Sequence, residues 1–373
     1  MRCPVPIEAL TIGLLVCTLT ACDGGAPEAV ALLDDLDTGW NTIEPGADTT
    51  CSDGSPYRFF VRPGQPERLL VYFQGGGACW NGMTCDPDLE PSHTINTDGT
   101  DPDRANGIFD FGNPENPFAG YSAVYAPYCT GDVHLGNRVT TYEAPAVEEH
   151  GPHDVTVRHN GMTNARAVLD WVYSHFLTPS AVFVTGSSAG SIPSPYFTML
   201  IAEHYESAAI SQLGDGSSGY RRELMRVAPE EMWGTLDELS YLPEFADMPV
   251  GEFTFESLYV AAARRYPEIT FAAFDHAEDG VQKQFLALAG HRTGSLLDLI
   301  LANQNDIRSA VPNFRSYIAG GDVHTILQRP EFYSQHVDGV RIRDWVANLA
   351  DREPIEDVQC RVCDVPEFIG GGE

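Results

Sequence analysis

A chain of 373 residues that is 43% hydrophobic and 20% charged has the material for a large buried core, which excludes a disordered polyelectrolyte. Its net charge of -31, from 53 acidic against 22 basic residues with Lys283 the only lysine, excludes nucleic acid as a partner, because no basic stripe offsets repulsion of phosphate. Beyond the N-terminus no segment is apolar for long enough to span a bilayer, so a water-soluble mature chain is expected, with the acidity serving solubility or a salty habitat.

The chain opens with Met1-Arg2, an apolar run from Ala9 through Leu19, and Leu19-Thr20-Ala21-Cys22. This is the pattern of a signal peptide over residues 1–21, and its end fits a bacterial lipobox in which Cys22 is acylated after cleavage. Cleavage at an ordinary small-residue site is the alternative. Acyl chains on Cys22 would hold the protein on a membrane of the cell envelope without making it span one. Residues 22–45, rich in Asp, Gly, Ala and Pro, would then tether a single catalytic domain over residues 46–373, expected to act as a monomer.

Of nine cysteines, Cys3 and Cys17 leave with the signal and Cys22 carries lipid, so six remain for three disulfides in an oxidising compartment. Cys79 with Cys85 and Cys360 with Cys363 are close enough for local bridges, which leaves Cys51 to Cys129. Cys360-Arg-Val-Cys363 could also be a redox or metal pair, but a single CxxC without partners favours a bridge that clips the C-terminal tail.

Arg68 to Phe73 reads as a buried strand ending in Gly75-Gly76-Gly77, and Ser122 to Ala126 as another. Thr163 to Phe176 carries its apolar residues at helical spacing. Ala181 to Thr185 is a third strand, running into Gly186-Ser187-Ser188-Ala189-Gly190 and then a helix over Tyr196 to His204. Further strands are expected at Ala208 to Gln212, Ile269 to Phe274 and Phe314 to Ile318, with helical stretches at Leu224 to Val227, Asp279 to Leu301 and Gly339 to Leu349. The alternation predicts an α/β fold, an α/β-hydrolase-like mostly parallel sheet with helices on both faces and long decorating loops at 86–120 and 130–160. Residues 229–263 are expected to form a lid.

Gly186-Ser187-Ser188-Ala189-Gly190 matches the G-x-S-x-G nucleophile elbow in its required context, a strand before and a helix after. Pro193 and Pro195 are tolerable only in the first turn of that helix. Ser187 and Ser191 compete for the nucleophile role but do not occupy the apex. Ester cleavage needs N–H donors for the developing oxyanion, and the N–H groups of Gly76 or Gly77 and of Ala189 are the candidates. Among 11 histidines, His324 lies just past the strand Phe314 to Ile318, with His276, His291 and His336 as rivals. The acid falls among Asp275, Glu278 and Asp279, between which spacing does not choose. Asp132 and His134 beside Cys129 suggest a metal site only weakly, lacking a third well-spaced ligand, so neither metal nor cofactor is expected.

Gln74-Gly75-Gly76-Gly77-Ala78-Cys79-Trp80 with Thr84-Cys85, Tyr128-Cys129-Thr130-Gly131-Asp132, and the elbow together resemble the pectin acetylesterase and Notum family, especially its bacterial branch, over about residues 40–350. The resemblance implies a serine esterase without cofactor, whose acid opens a D-x-x-Q motif and therefore falls on Asp279, with the histidine in the loop of His324. It also implies the Cys79 to Cys85 and Cys51 to Cys129 bridges. Two departures stand out: Ser191 where the family often has glycine, and Gly77 where Notum has an aromatic residue, so the acyl pocket is expected to differ. Pectin, a polyanion, suits a protein at -31 poorly, which leaves a neutral glycan acetate, a fatty acyl group or a polyester. The competing readings are a catalytically silent lipoprotein that binds through the same fold, and an acyltransferase using the same acyl-enzyme.

Overall fold

The computed structural model describes residues 33–46, 48–146, 151–221, 229–249, 253–291 and 294–368. The signal peptide, Cys22, most of the tether and the helix expected at Leu224 to Val227 lie outside the described residues. Its strands are β1 Asn41–Ile43, β2 Phe59–Arg62, β3 Gln65–Phe73, β4 Tyr121–Ala126, β5 Arg138–Ala144, β6 His153–His159, β7 Ala181–Ser187, β8 Ala209–Asp215, β9 Thr270–His276, β10 Phe314–Ala319, β11 Gln335–Val337, β12 Val340–Arg341, β13 Val358–Gln359 and β14 Glu367–Phe368. The helices are α1 Gly82–Cys85, α2 Gly161–His175, α3 Ser194–His204, α4 Pro229–Trp233, α5 Thr235–Leu239, α6 Phe255–Arg265, α7 Gly280–Leu288, α8 Leu296–Ala310 and α9 Ile342–Ala350.

Among the described residues nine strands form one sheet in the order β1-β2-β4-β3-β7-β8-β9-β10-β13. From β4 to β13 every neighbour is parallel, and β1 and β2 close one edge in the antiparallel sense. This is the hydrolase-like α/β fold. Parallel strands covered on both faces must be apolar on both, and β3 shows it: Leu69, Val71 and Phe73 enter one core cluster with α2, α3 and α6, while Leu70 and Tyr72 enter the other with α9.

Three expectations need correction. Residues 130–160 are not all loop, because β5 and β6 pair as an antiparallel hairpin from Arg138↔His159 to Ala144↔His153. The expected tether ends earlier, because Asn41–Ile43 pairs with β2 and Trp40 packs edge-on against Tyr125. The helix expected over Asp279 to Leu301 is two helices, α7 and α8, since Ser295 caps the second through Asp298 N and Gly290 adopts φ +93 just after the first. The disulfides Cys51–Cys129, Cys79–Cys85 and Cys360–Cys363 are all formed. Among the described residues no helix is long and apolar enough to cross a membrane.

Candidate active site

The segments singled out in the sequence all leave the carboxyl ends of neighbouring parallel strands, where open α/β sheets place their ligands. Between β7 and α3, Ser188 has φ 54, a left-handed conformation that costs a non-glycine residue about 1–3 kcal/mol and persists only where surroundings impose it. Gly190 is part of that imposition: a Cβ there would lie 2.1 Å from the carbonyl oxygen of Phe73 at the end of β3. Pro193 precedes the first turn of α3 and Pro195 falls within it, so neither removes a needed donor. The rival serines are engaged elsewhere. Ser187 Oγ donates to Asp215 Oδ2 at 2.8 Å, and Ser191 Oγ shares a 2.5 Å hydrogen bond with Ser217 Oγ.

The glycine loop after β3 lies against this turn, for a Cβ on Gly75 would come within 2.7 Å of Ser188 Cβ. Gly77 has φ +81, open to glycine, and its Cβ position is 2.0 Å from Ser92 O. Gly77 and Ala189 border the same cavity as Ser188, whereas Gly76 is turned so that its carbonyl accepts from Thr94 N at 2.9 Å. The loop is pinned from behind by the Cys79–Cys85 bond, and Trp233 Nε1 donates to Cys79 O at 2.8 Å. His134 Nε2 donates to Gln74 O at 2.9 Å, and burial pushes the imidazole down to about 4, so it is neutral at pH 7.

Asp132 and His134 are therefore not poised for a metal. The buried Asp132 carboxylate accepts from Thr130 Oγ1 at 2.6 Å, Gly161 N at 2.7 Å and His134 N at 3.1 Å, and Cys129 is bonded to Cys51. Cys79, Cys85 and His159 also cluster, but the disulfide removes the thiolates a metal would need.

After β9, Asp279 is fully buried and caps α7, with Oδ1 accepting from Val281 N and Gln282 N at 2.9 and 3.0 Å. Its Oδ2 accepts from His324 Nδ1 at 2.7 Å. That bond puts the proton on Nδ1 and leaves Nε2 an acceptor, and Nε2 is buried with no hydrogen-bond partner. The other acids are occupied: Glu278 pairs with Lys283, and Asp275 accepts from Ser218 N at 2.9 Å and Gln304 Nε2 at 3.3 Å. Burial raises Asp275 to about 7. Of the rival histidines, His276 lies 3.1 Å from Gln335 Oε1, His336 faces Glu367 at 3.4 Å, and His291 sits past the end of α7.

Asp215, which sequence reasoning passed over, and Gln282, the glutamine of the D-x-x-Q motif, organise this end of the sheet. Asp215, the last residue of β8, accepts from Ser187 Oγ and also from Ile326 N at 3.0 Å and Leu327 N at 3.1 Å. One carboxylate thus holds the residue before Ser188 and the loop just after His324. Burial pushes it up to about 6, and these donated bonds act in the opposite direction by favouring its charged form. Gln282 Nε2 reaches both Asp275 Oδ1 and Asp279 Oδ2 at 3.1 Å while its Oε1 accepts from Gly219 N at 2.8 Å. The signal for Asp215 was faint, a Gly-Asp-Gly at a strand end.

The cavity in front of Ser188 measures about 140 Å³, and Trp80, Val133, Ile192, Phe255 and Phe285 make its surface mainly apolar. Trp233, Phe253 and Phe255, from the 229–263 segment, form one of its walls.

Residues 37–221 match the family model described as pectinacetylesterase. An inactive palmitoleoyl-protein carboxylesterase, notum1b of Danio rerio, is 29% identical over 103 residues, covering 26% of this chain and 74% of that protein. The palmitoleoyl-protein carboxylesterase NOTUM of Schmidtea mediterranea is 27% identical over 152 residues, 38% of this chain and 26% of that protein. The crystal structure of the Wnt deacylase Notum from Drosophila superposes with a TM-score of 0.58 at 19% identity, covering 84% of this chain and 93% of that one, a likeness of fold. The chain belongs to the pectin acetylesterase and Notum family. The family is one of esterase-type hydrolases, and the chain spans about a quarter of the planarian relative's length.

The family motifs have structural reasons here. In the Tyr-Cys-x-Gly-Asp motif, Tyr128 Oη accepts from Val133 N at 2.8 Å and Asp132 ties the start of α2 to this segment. In D-x-x-Q, the glutamine orients the aspartate that holds His324. Ser191, the departure beside the elbow, is absorbed by Ser217.

Proposed function

We propose that the protein is a serine carboxylesterase with Ser188 as nucleophile, His324 as general base and Asp279 as the carboxylate that orients it. The observation that carries this is His324: Nδ1 is committed to a buried aspartate while the buried Nε2 lacks a partner, which is the state of a base awaiting a proton. Apo geometry of such pairs is commonly looser than in the substrate complex. Ser188 Oγ attacks the ester carbonyl as its proton passes to His324 Nε2. The imidazolium is stabilised by Asp279 and then protonates the leaving alcohol, and water resolves the acyl-enzyme by the same route in reverse. The N–H of Ala189 and that of Gly77 or Gly76 face the oxyanion. Ala189 sits in the first turn of a short 3-10 helix, where an N–H lacks an intrahelical acceptor.

The acyl group occupies the apolar cavity, with residues 229–263 as its cover. About 140 Å³ is close to the roughly 150 Å³ apolar cavity that admits benzene, which favours an acyl group of a few carbons. The alcohol is a neutral one, since a protein at -31 repels pectin. The disulfides suit an exported chain, and the lipobox puts a lipid anchor at Cys22, holding a monomer at the cell envelope of a bacterium.

Purified protein and Ser188→Ala are to be compared on p-nitrophenyl acetate, butyrate and palmitate, with fluorophosphonate labelling. Turnover fastest on the short esters, lost by roughly 10⁴-fold or more in the variant together with the label, is expected. A folded wild type that neither turns over nor takes the label would instead favour a binding protein.

A further inference from the structure

Asp275, the penultimate residue of β9, is fully buried and does not line the cavity. Its Oδ1 accepts from Ser218 N at 2.9 Å and from Gln282 Nε2 at 3.1 Å, and its Oδ2 accepts from Gln304 Nε2 at 3.3 Å. All three donors are neutral, and the charge it faces is that of Asp279, of the same sign. Burying a carboxylate in this way is costly. Satisfying one backbone N–H does not require it, since a neutral hydroxyl or amide oxygen accepts as well.

What an aspartate adds is acceptance on both oxygens with no N–H of its own. Against it the Gln282 amide has one favourable orientation. Turned over, the amide would set Oε1 against the Asp275 carboxylate and Nε2 against the Gly219 N–H, which now donates to Oε1 at 2.8 Å. The favoured orientation is also the one Asp279 needs. The same Nε2 donates at 3.1 Å to Asp279 Oδ2, the oxygen that holds His324 Nδ1 at 2.7 Å. A turned amide would bring an oxygen onto Oδ2 and push the carboxylate off the ring. The neighbouring strand repeats the device, for the buried Asp215 at the end of β8 grips Ser187 and Ile326.

We propose that Asp275 is a positioning residue of the active site: it fixes the Gln282 amide with Nε2 toward Asp279, and thereby keeps Asp279 Oδ2 on His324 Nδ1. It touches no reacting atom, and its role rests on the reading of Ser188, His324 and Asp279 as the catalytic set. The segment 218–220, whose last residue Tyr220 lines the cavity, has a separate support. Asn303 Nδ2 donates to Ser218 O at 2.6 Å and to Tyr220 O at 3.0 Å. Loss of Asp275 therefore falls on kcat, through the base, and leaves the substrate wall in place.

The test measures kcat and KM on p-nitrophenyl butyrate, per site counted by fluorophosphonate titration. It compares the full wild-type chain with Asp275→Ala, Asp275→Asn, Gln282→Met and the double variant Asp275→Ala with Gln282→Met. Asp275→Ala should lose about tenfold in kcat with KM within about twofold, and Asp275→Asn, which keeps one acceptor oxygen for Gln282, should recover most of it. Because Asp275 acts through Gln282, Gln282→Met should lose as much, and the double variant no more than either single one. Losses that multiply to about a hundredfold would show independent effects and overturn the inference. Full kcat in Gln282→Met also overturns it, and that arm decides the matter should Asp275→Ala not fold. A wild type with neither turnover nor label removes the catalytic reading and this inference with it. A labelled, active wild type matched by Asp275→Ala overturns the inference alone.

Discussion

Ser188 and His324 are held in opposite ways. Ser188 is held by its chain neighbours: β7 ends, the backbone turns left-handed at φ 54, and Gly190 lets the turn pass the end of β3. His324 stands in a loop whose own sequence says little, and its supports are Asp279, 45 residues earlier, and Asp215, which grips Ile326 from 111 residues away. A nucleophile of this kind is a local motif, while its base is a tertiary assembly. The first tolerates no added atom, and the second no change of charge or hydrogen-bonding sense.

The sharpest test of the second half is Asp279→Asn, which keeps the shape but offers His324 Nδ1 no charge and invites the wrong tautomer. It should lower kcat on p-nitrophenyl butyrate by roughly 10³–10⁴-fold with little change in melting temperature. Near-normal turnover would mean that another carboxylate orients the ring. The first half is broken by Gly190→Ala, whose Cβ meets a backbone oxygen at 2.1 Å and cannot be relieved by a rotamer. A loss of about 3–4 kcal/mol in urea unfolding is expected, together with loss of labelling at Ser188. Gly99→Ala, with nothing within 4 Å, is the control and should stay within about 0.5 kcal/mol.

Acid reaches the support beneath the glycine loop. His134 is buried with its pKa lowered from 6.5 to about 4, so between those values the unfolded chain takes up a proton that the folded one refuses. The stability linked to this ring is present above about pH 6.5 and is lost as pH falls through 4. Against His134→Gln, the wild type should lose up to about 3 kcal/mol of its relative stability between pH 6.5 and 4, measured by denaturant unfolding. A difference independent of pH would show that the ring takes up its proton over the same range folded as unfolded. A smaller effect is expected for Asp215→Asn, which turns one acceptor into a donor pointing at Ser187 or at the N–H groups of Ile326 and Leu327. About 2 kcal/mol of stability and about tenfold in kcat should be lost, with KM little changed. A change confined to KM would place Asp215 in substrate binding.

Much of this was legible without coordinates. The alternation of apolar runs and helical periods carried the α/β fold, because parallel strands must be apolar on both faces. The G-x-S-x-G turn, the glycine loop and the disulfide pairing were legible because each depends on residues close in the chain or on a small even count of cysteines. The strands β2 and β5 were not legible: Phe59–Arg62 is only four residues long, and Arg138–Ala144 is mostly polar and exposed on one side. Among Asp275, Glu278 and Asp279, periodicity offers no choice, and the family motif was needed to prefer one. Only the tertiary structure brings His324 onto Asp279 and joins both halves of the site through Asp215. These contacts join side chains from different strand ends, and what decides them is which strands lie side by side in the sheet, a choice made by the packing of the whole core rather than by any segment's own residues.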